Sequence, residues 1–151
     1  MRRIVFSKGN YWCKRNHIDK KALKFTLEQI SLDTGFHVEH MSYVIVSDAE
    51  ILQINKQYLN HNYFTDIITF DLNEKPNNVN GEAYISKDTI EKNAQHYARP
   101  IYEEFARVVI HGFLHLVGYN DKSNSEKETM RLKEDFYLFH LSQYKKTINE
   151  F

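Results

Sequence analysis

The residues His111-Gly112-Phe113-Leu114-His115-Leu116-Val117-Gly118-Tyr119-Asn120-Asp121 combine side chains that can do metal chemistry at a spacing that suits it. Two histidines four residues apart share one face of a helix, so both imidazoles can converge on one ion. Gly118 reads as the helix stop and admits the positive φ that reverses the chain. The reversal can carry the Asp121 carboxylate back over the same ion. Two nitrogens and one oxygen leave a coordination position open, which is the arrangement of a catalytic zinc site. The same donors also suit non-haem Fe(II). We expect one divalent metal ion, Zn2+, held by His111, His115 and Asp121. A lone buried histidine is more often satisfied by a backbone carbonyl. Two in register on an apolar helix each need a partner, because an unpaired buried polar group costs roughly 1–3 kcal/mol. One ion satisfies both.

The spacing H-x-x-x-H-x-x-G-x-x-D is that of the metzincin proteases, which place a glutamate general base directly after the first histidine. Gly112 occupies that position here and cannot move a proton. His111, Gly112, Leu114, His115, Leu116, Gly118 and Tyr119 instead fit the signature H-G-x-L-H-L-x-G-Y-D-H, so the chain resembles the YbeY family of rRNA maturation factors. Asp121 stands where that family usually has a third histidine, and a carboxylate can take the third position of a zinc site. The resemblance runs from about Val44 to Asp121. It includes Asn55 and Tyr58 at a helix end, the strand Thr65-Asp66-Ile67-Ile68-Thr69-Phe70, and the strand Gly81-Glu82-Ala83-Tyr84-Ile85-Ser86. After the helix-end tyrosine the family usually has an arginine thought to serve the active site. Leu59 takes its place, so the resemblance supplies metal ligands and no catalytic arginine.

The resemblance implies a metal-dependent, single-strand-specific endoribonuclease acting in small-subunit rRNA maturation and ribosome quality control. Its partners would be single-stranded RNA, small-subunit rRNA and the ribosomal subunit, with no DNA. Two other readings stand beside it. One is a non-catalytic ribosome assembly factor with a structural metal. The other is a small metalloprotease, which Gly112 disfavours.

The elements that must position these groups follow from periodicity and punctuation. Arg3 to Phe6 reads as a short strand. Ala22, Leu23, Leu27 and Ile30 recur at helical spacing from Asp19 to about Leu32, with Gly35 as the stop. Met41 to Val46 is rich in β formers. Ser47-x-x-Glu50 is a capping box ahead of a helix that lines up Ile51, Ile54 and Tyr58. Strands are predicted over Asp66 to Leu72 and Glu82 to Ile85, joined by a loop from Asn73 to Asn80 suited to a hairpin or a lid. Helices follow over about Lys87 to Ala98, stopped before Pro100, and about Tyr102 to Val117. The second is apolar on nearly all sides and must be buried. Ser125-x-x-Glu128 is read as the cap of a last helix reaching about Lys145. The expected fold is α/β (α+β): a small mixed sheet packed with helices, with a zincin-like metal site at the end of the buried central helix.

Composition bounds the rest. The 151 residues, 42% hydrophobic and 14% aromatic, suit one domain spanning 1–151 with one core. Only 5 Gly and 2 Pro argue against linkers or repeats. One cysteine, Cys13, excludes an internal disulfide and fits a reducing cytoplasm. No apolar run reaches membrane-span length, and no secretory leader pattern follows Arg2 and Arg3. Net charge is zero, yet residues 1–30 hold 8 Lys or Arg against 2 acids while residues 31–121 hold 6 against 13. A basic N-terminal segment can offer phosphates a positive face, and Lys20, Lys21 and Lys24 are the RNA-binding candidates. Asp66 and Glu82 are each either local hydrogen-bonding groups or carboxylates that orient a ligand or water. His140 reads as a packing residue beside Phe136 and Phe139. His17, His37, His40, His61 and His96 show no ligand spacing.

Overall fold

The computed structural model describes residues 3–60 and 65–149, with side chains as far as Tyr144. His61 therefore lies outside the described residues. Strand β1 (Ile4–Ser7) leads into helix α1 (Asn10–Arg15) and helix α2 (Lys20–Thr34), then strand β2 (His37–Val46) and helix α3 (Asp48–Leu59). Strands β3 (Ile67–Asp71) and β4 (Asn78–Ser86) follow, then helices α4 (Lys87–His96), α5 (Ile101–Leu116) and α6 (Asn124–Asn149). The four strands form one mixed sheet in the order β1-β2-β4-β3. The β1–β2 and β2–β4 pairs are parallel and the β3–β4 pair is antiparallel.

Strand alternation divides the apolar side chains between two faces. Met41, Tyr43 and Ile45 of β2, with Val79, Ala83 and Ile85 of β4, enter the main core with α2 and α5. Val46, Ile51 and Ile68, with Val44, Ile54, Phe70 and Tyr84, form a smaller cluster under α3 on the other face. Tyr58 leans its ring edge on Phe70, 5.9 Å between centroids, but is otherwise exposed. Helix α5 is the buried helix its sequence predicts: Phe105, Val109, Ile110, Phe113 and Leu114 are fully enclosed. Each such side chain is worth about 1.5–3 kcal/mol of burial, which anchors the helix that carries the histidines. Helix α6 packs across α2 and α5.

The caps read from sequence largely form. Asp19 accepts from the Ala22 backbone N–H at 3.0 Å, Gly35 closes α2 with φ 76°, and the reciprocal Ser47–Glu50 box is complete. Four local expectations are corrected. The cap of α6 is Ser123 with Glu126, not Ser125 with Glu128: Glu126 N–H donates to Ser123 Oγ at 3.1 Å, and Ser123 N–H to Glu126 Oε1 at 2.9 Å. Both serines have a glutamate three residues on, and the one nearer the Gly118 reversal takes the cap. Strand β4 begins at Asn78, so the connection from β3 is a short hairpin loop rather than a lid. Asn78 ends the loop by donating its side-chain N–H to Asn73 Oδ1 at 2.8 Å. Strand β2 begins at His37, paired with Asn78, four residues before the predicted start. Helix α1 was not predicted. Its six residues are too few for a period to show, and it is held by Trp12 and Cys13 in the core and by Trp12 Nε1–H donating to Glu91 at 2.7 Å. Burial pushes the Cys13 thiol pKa up, as for an ordinary structural cysteine.

Candidate metal centre

The site lies where α5 ends. Val117 N–H bonds back to Phe113 O, Gly118 N–H to His115 O at 3.1 Å, and Tyr119 N–H to Leu114 O at 3.0 Å. Gly118 has φ 102°, which an L side chain would resist. This reversal returns the chain over the last two turns of α5 and brings Asp121 to the histidines. Asp121 Oδ2 lies 3.4 Å from His111 Nε2 and 3.4 Å from His115 Nε2, and the two Nε2 atoms are 3.0 Å apart.

That triangle tests whether the residues fit an ion. A tetrahedral zinc with bonds of about 2.0–2.1 Å separates its ligands by roughly 3.3 Å. The observed edges match. Two lone-pair nitrogens and a carboxylate oxygen turned toward one point also make the donor chemistry of a divalent transition metal. His111, His115 and Asp121 can therefore hold a metal ion. The three side chains are 29%, 34% and 40% exposed, so the point they share is reachable from solvent.

An open cleft of about 430 Å³ borders the histidines, lined by Thr65, Asp66, Ile67, Thr69, Asp71, Gly112 and Leu116 along with His111 and His115. One wall is β3, the edge strand, whose Ile67 and Thr69 point at α5. Gly112 explains how the two come so close. A Cβ there would lie 2.9 Å from Ile67 Cδ1 and 3.2 Å from Thr69 Oγ1. A side chain at this position would have to push the tip of Ile67 aside, so packing as well as chemistry disfavours the protease reading. Asp66 begins the β3 wall half-buried. Burial pushes its pKa above the usual carboxylate range, against the positive pull of His111 and hydrogen bonds from Ile67, its own N–H and Thr65.

His111 is held from behind by a residue that spacing did not reveal. Its Nδ1 is 2.6 Å from Glu134 Oε2, on α6. Burial alone would push His111 down, but the hydrogen bond and charge of Glu134, then Asp121 and Asp66, outweigh it and the pKa is raised. Glu134 is 23 residues away in sequence. Its one sequence signal is its helical spacing between Met130 and Tyr137, the buried apolar positions of α6.

The other candidates fall elsewhere. Lys20, Lys21 and Lys24 open α2, and Leu23 between them lines a small cavity with Tyr102, Ala106 and Leu141. Those α5 residues precede His115 by roughly 14–20 Å of helix at 1.5 Å per residue, so the structure does not bring these lysines to the cleft. Lys20 donates to Asn10 Oδ1 at 2.8 Å. Glu82 accepts a close hydrogen bond from Tyr84 on the sheet face under α3, away from the cleft. His140 is a packing residue, but its partners are Phe25, stacked at 5.5 Å, and Thr26 Oγ1 at 3.3 Å, while Phe136 and Phe139 are exposed. Leu59 is 40% exposed at the end of α3.

Comparison with known proteins assigns the chain to a family. The family described as Endoribonuclease YbeY matches residues 13–142. An endoribonuclease YbeY of Phocaeicola vulgatus is 41% identical over 129 residues, covering 85% of this chain and 93% of its own. One of Bacteroides fragilis is 44% identical over 122 residues, covering 81% and 87%. A solution structure of a Thermotoga maritima protein superposes with a TM-score of 0.65 at 30% identity, over 100% of this chain and 96% of that one. With a mixed sheet, a buried helix ending in the His–His–Asp cluster, and matches spanning most of its length, the chain belongs to the YbeY endoribonuclease family.

Proposed function

We propose that the protein is a metal-dependent endoribonuclease that cuts single-stranded RNA, with small-subunit rRNA as its substrate and the ribosomal subunit as the setting, in rRNA maturation and ribosome quality control. We read residues 1–151 as one catalytic domain working in the cytoplasm, His111, His115 and Asp121 as the ligands, and Zn2+ as the ion. The observation that carries the reading is the convergence of two Nε2 atoms and one Oδ2 on a solvent-reachable point beside an open cleft, in a chain of this family.

A bound ion would polarise a phosphoryl oxygen and lower the pKa of a water. The chain's own contribution is to aim the donors and shape the cleft. Thr65, Asp66, Thr69 and Asp71 supply polar groups along the β3 wall. No lysine or arginine is among the described residues that line it. A phosphate entering this cleft would therefore meet its positive charge at the ion, and RNA held without the ion would be repelled by Asp66, Asp71 and Asp121. Backbone contacts farther along the RNA fall to the α2 lysines, Lys20, Lys21 and Lys24. The absence of a cleft arginine is what favours the second reading, a ribosome assembly factor that binds without cutting.

One experiment separates the two. Wild type, Asp121→Ala, Asp121→His and the triple alanine variant of Lys20, Lys21 and Lys24 are compared on single-stranded and duplex RNA, with chelator and with added zinc. The nuclease reading expects zinc-dependent cutting of the single strand, lost in Asp121→Ala and kept in Asp121→His. In the lysine variant, zinc content is unchanged and the slope of log affinity against log salt falls by up to about 2, at about 0.7 per released contact. Wild type that holds zinc and binds ribosomal subunits but cuts no RNA would leave the assembly-factor reading standing alone.

A further inference from the structure

Arg107, Glu134 and His111 form a chain of charge-assisted hydrogen bonds behind the candidate metal centre. Arg107 precedes His111 by four residues on α5, so both side chains leave the helix on the side that faces α6. Glu134 reaches into the contact from α6 and is 8% exposed. Its two oxygens are divided: Oε1 accepts from an Arg107 guanidinium nitrogen at 3.0 Å, and Oε2 faces His111 Nδ1 at 2.6 Å. The second guanidinium nitrogen is tied to Asp135 Oδ1 at 2.8 Å. The guanidinium is thus gripped by adjacent acids of α6, and the Glu134 carboxylate spans guanidinium and imidazole.

The geometry points to Glu134 as the positioning residue that fixes the tautomer and ring orientation of His111 for the ion, with Arg107 as the residue that holds Glu134. This rests on the metal reading above. The argument is one of donors and acceptors. A carboxylate has only acceptors here, so Nδ1 must carry the proton that meets it. Nε2 then carries the lone pair, and Nε2 is the atom that faces Asp121 and His115. Fixing a ligand histidine through its other nitrogen is worth typically 10–100-fold in metal affinity. A buried carboxylate would be costly to keep charged by itself, and Arg107 compensates it. His115 has no such support: among the described residues its Nδ1 meets no carboxylate. The two histidines are therefore unequal, His111 the anchored ligand and His115 the one that follows the ion.

The test is zinc affinity, measured without RNA by competition with a chromophoric chelator, for wild type, Glu134→Gln, Glu134→Ala, Arg107→Ala and Asp135→Ala. Glu134→Ala is expected to weaken zinc by about 10–100-fold. Glu134→Gln should weaken it too, because an amide has one acceptor oxygen for two donors. Arg107→Ala should fall between these and wild type, and Asp135→Ala, which removes only the exposed anchor, should stay within about 2-fold. Nitrogen NMR of the imidazoles in metal-free protein, followed along a pH series to the plateau where the ring has lost its second proton, should give His111 as the Nδ1–H tautomer in wild type and a mixture in Glu134→Ala. Folded Glu134→Gln that binds zinc as wild type does, or a wild-type His111 protonated on Nε2, overturns the assignment. If Glu134→Ala fails to fold, Glu134→Gln and Arg107→Ala decide. Wild type that binds no zinc refutes the metal reading, while the tautomer still decides whether Glu134 orients the ring.

Discussion

Replacing Gly112 tests the contact that brings β3 against the metal helix. In Gly112→Ala the added Cβ lies 2.9 Å from Ile67 Cδ1 and 3.2 Å from Thr69 Oγ1. Ordinary carbon–carbon contact is about 3.5–4.0 Å, so Ile67 must give way by more than half an ångström. The atom in the way is the tip of a flexible side chain, so the cost lies at the low end of overpacking, about 1 kcal/mol. Against it stands the gain of alanine over glycine inside a helix, about 1 kcal/mol. The two nearly cancel, so the variant should stay within about 1 kcal/mol of wild type, or about 2–4 °C in Tm for a protein of this size. Ile67→Val deletes the atom in the way. In that background Gly112→Ala should stabilise by about 1 kcal/mol, a coupling of about 1 kcal/mol between the sites. Urea denaturation of the four proteins, with chelator present throughout, measures the cycle. If Gly112→Ala stabilises by about 1 kcal/mol in both backgrounds, the added Cβ does not press on Ile67 and the close approach at Gly112 is refuted.

Two further outcomes follow from local geometry. Ser123→Ala should cost about 1 kcal/mol by removing the α6 cap, whereas Ser125→Ala should change stability by less than about 0.5 kcal/mol; the reverse order in urea melts would return the cap to Ser125. Burial raises the Asp66 pKa, so the folded state penalises its ionised form, and wild type loses stability as pH rises through the folded pKa. Asp66→Asn should therefore raise the Tm of metal-free protein at neutral pH and match wild type below the carboxylate range; a variant less stable than wild type at neutral pH would show that the ionised carboxylate is favoured in the fold.

The metal cluster was legible in the sequence because its parts are local. Two histidines at helical spacing, a glycine able to take positive φ and an acid three residues on occupy eleven consecutive positions, and backbone geometry over that distance is set by neighbours. The same holds for the Ser47–Glu50 box, the buried face of α5 and the stop at Gly35. Tertiary structure decided what joins residues far apart. No period links Glu134 to His111 or Arg107 to Glu134, since those bonds depend on how α6 lies across α5. Gly112 read as an absent base, and only the approach of β3 shows that it is there for lack of a side chain. The lysines of α2 read as a positive segment of unknown place, and packing puts them beside the first turns of α5, away from the cleft. The sequence reading places the cap of α6 at Ser125, and the structure puts it at Ser123, nearer the reversal. Hydrogen bonds and contacts between distant segments carry no spacing signal, because either partner satisfies its local rules without the other.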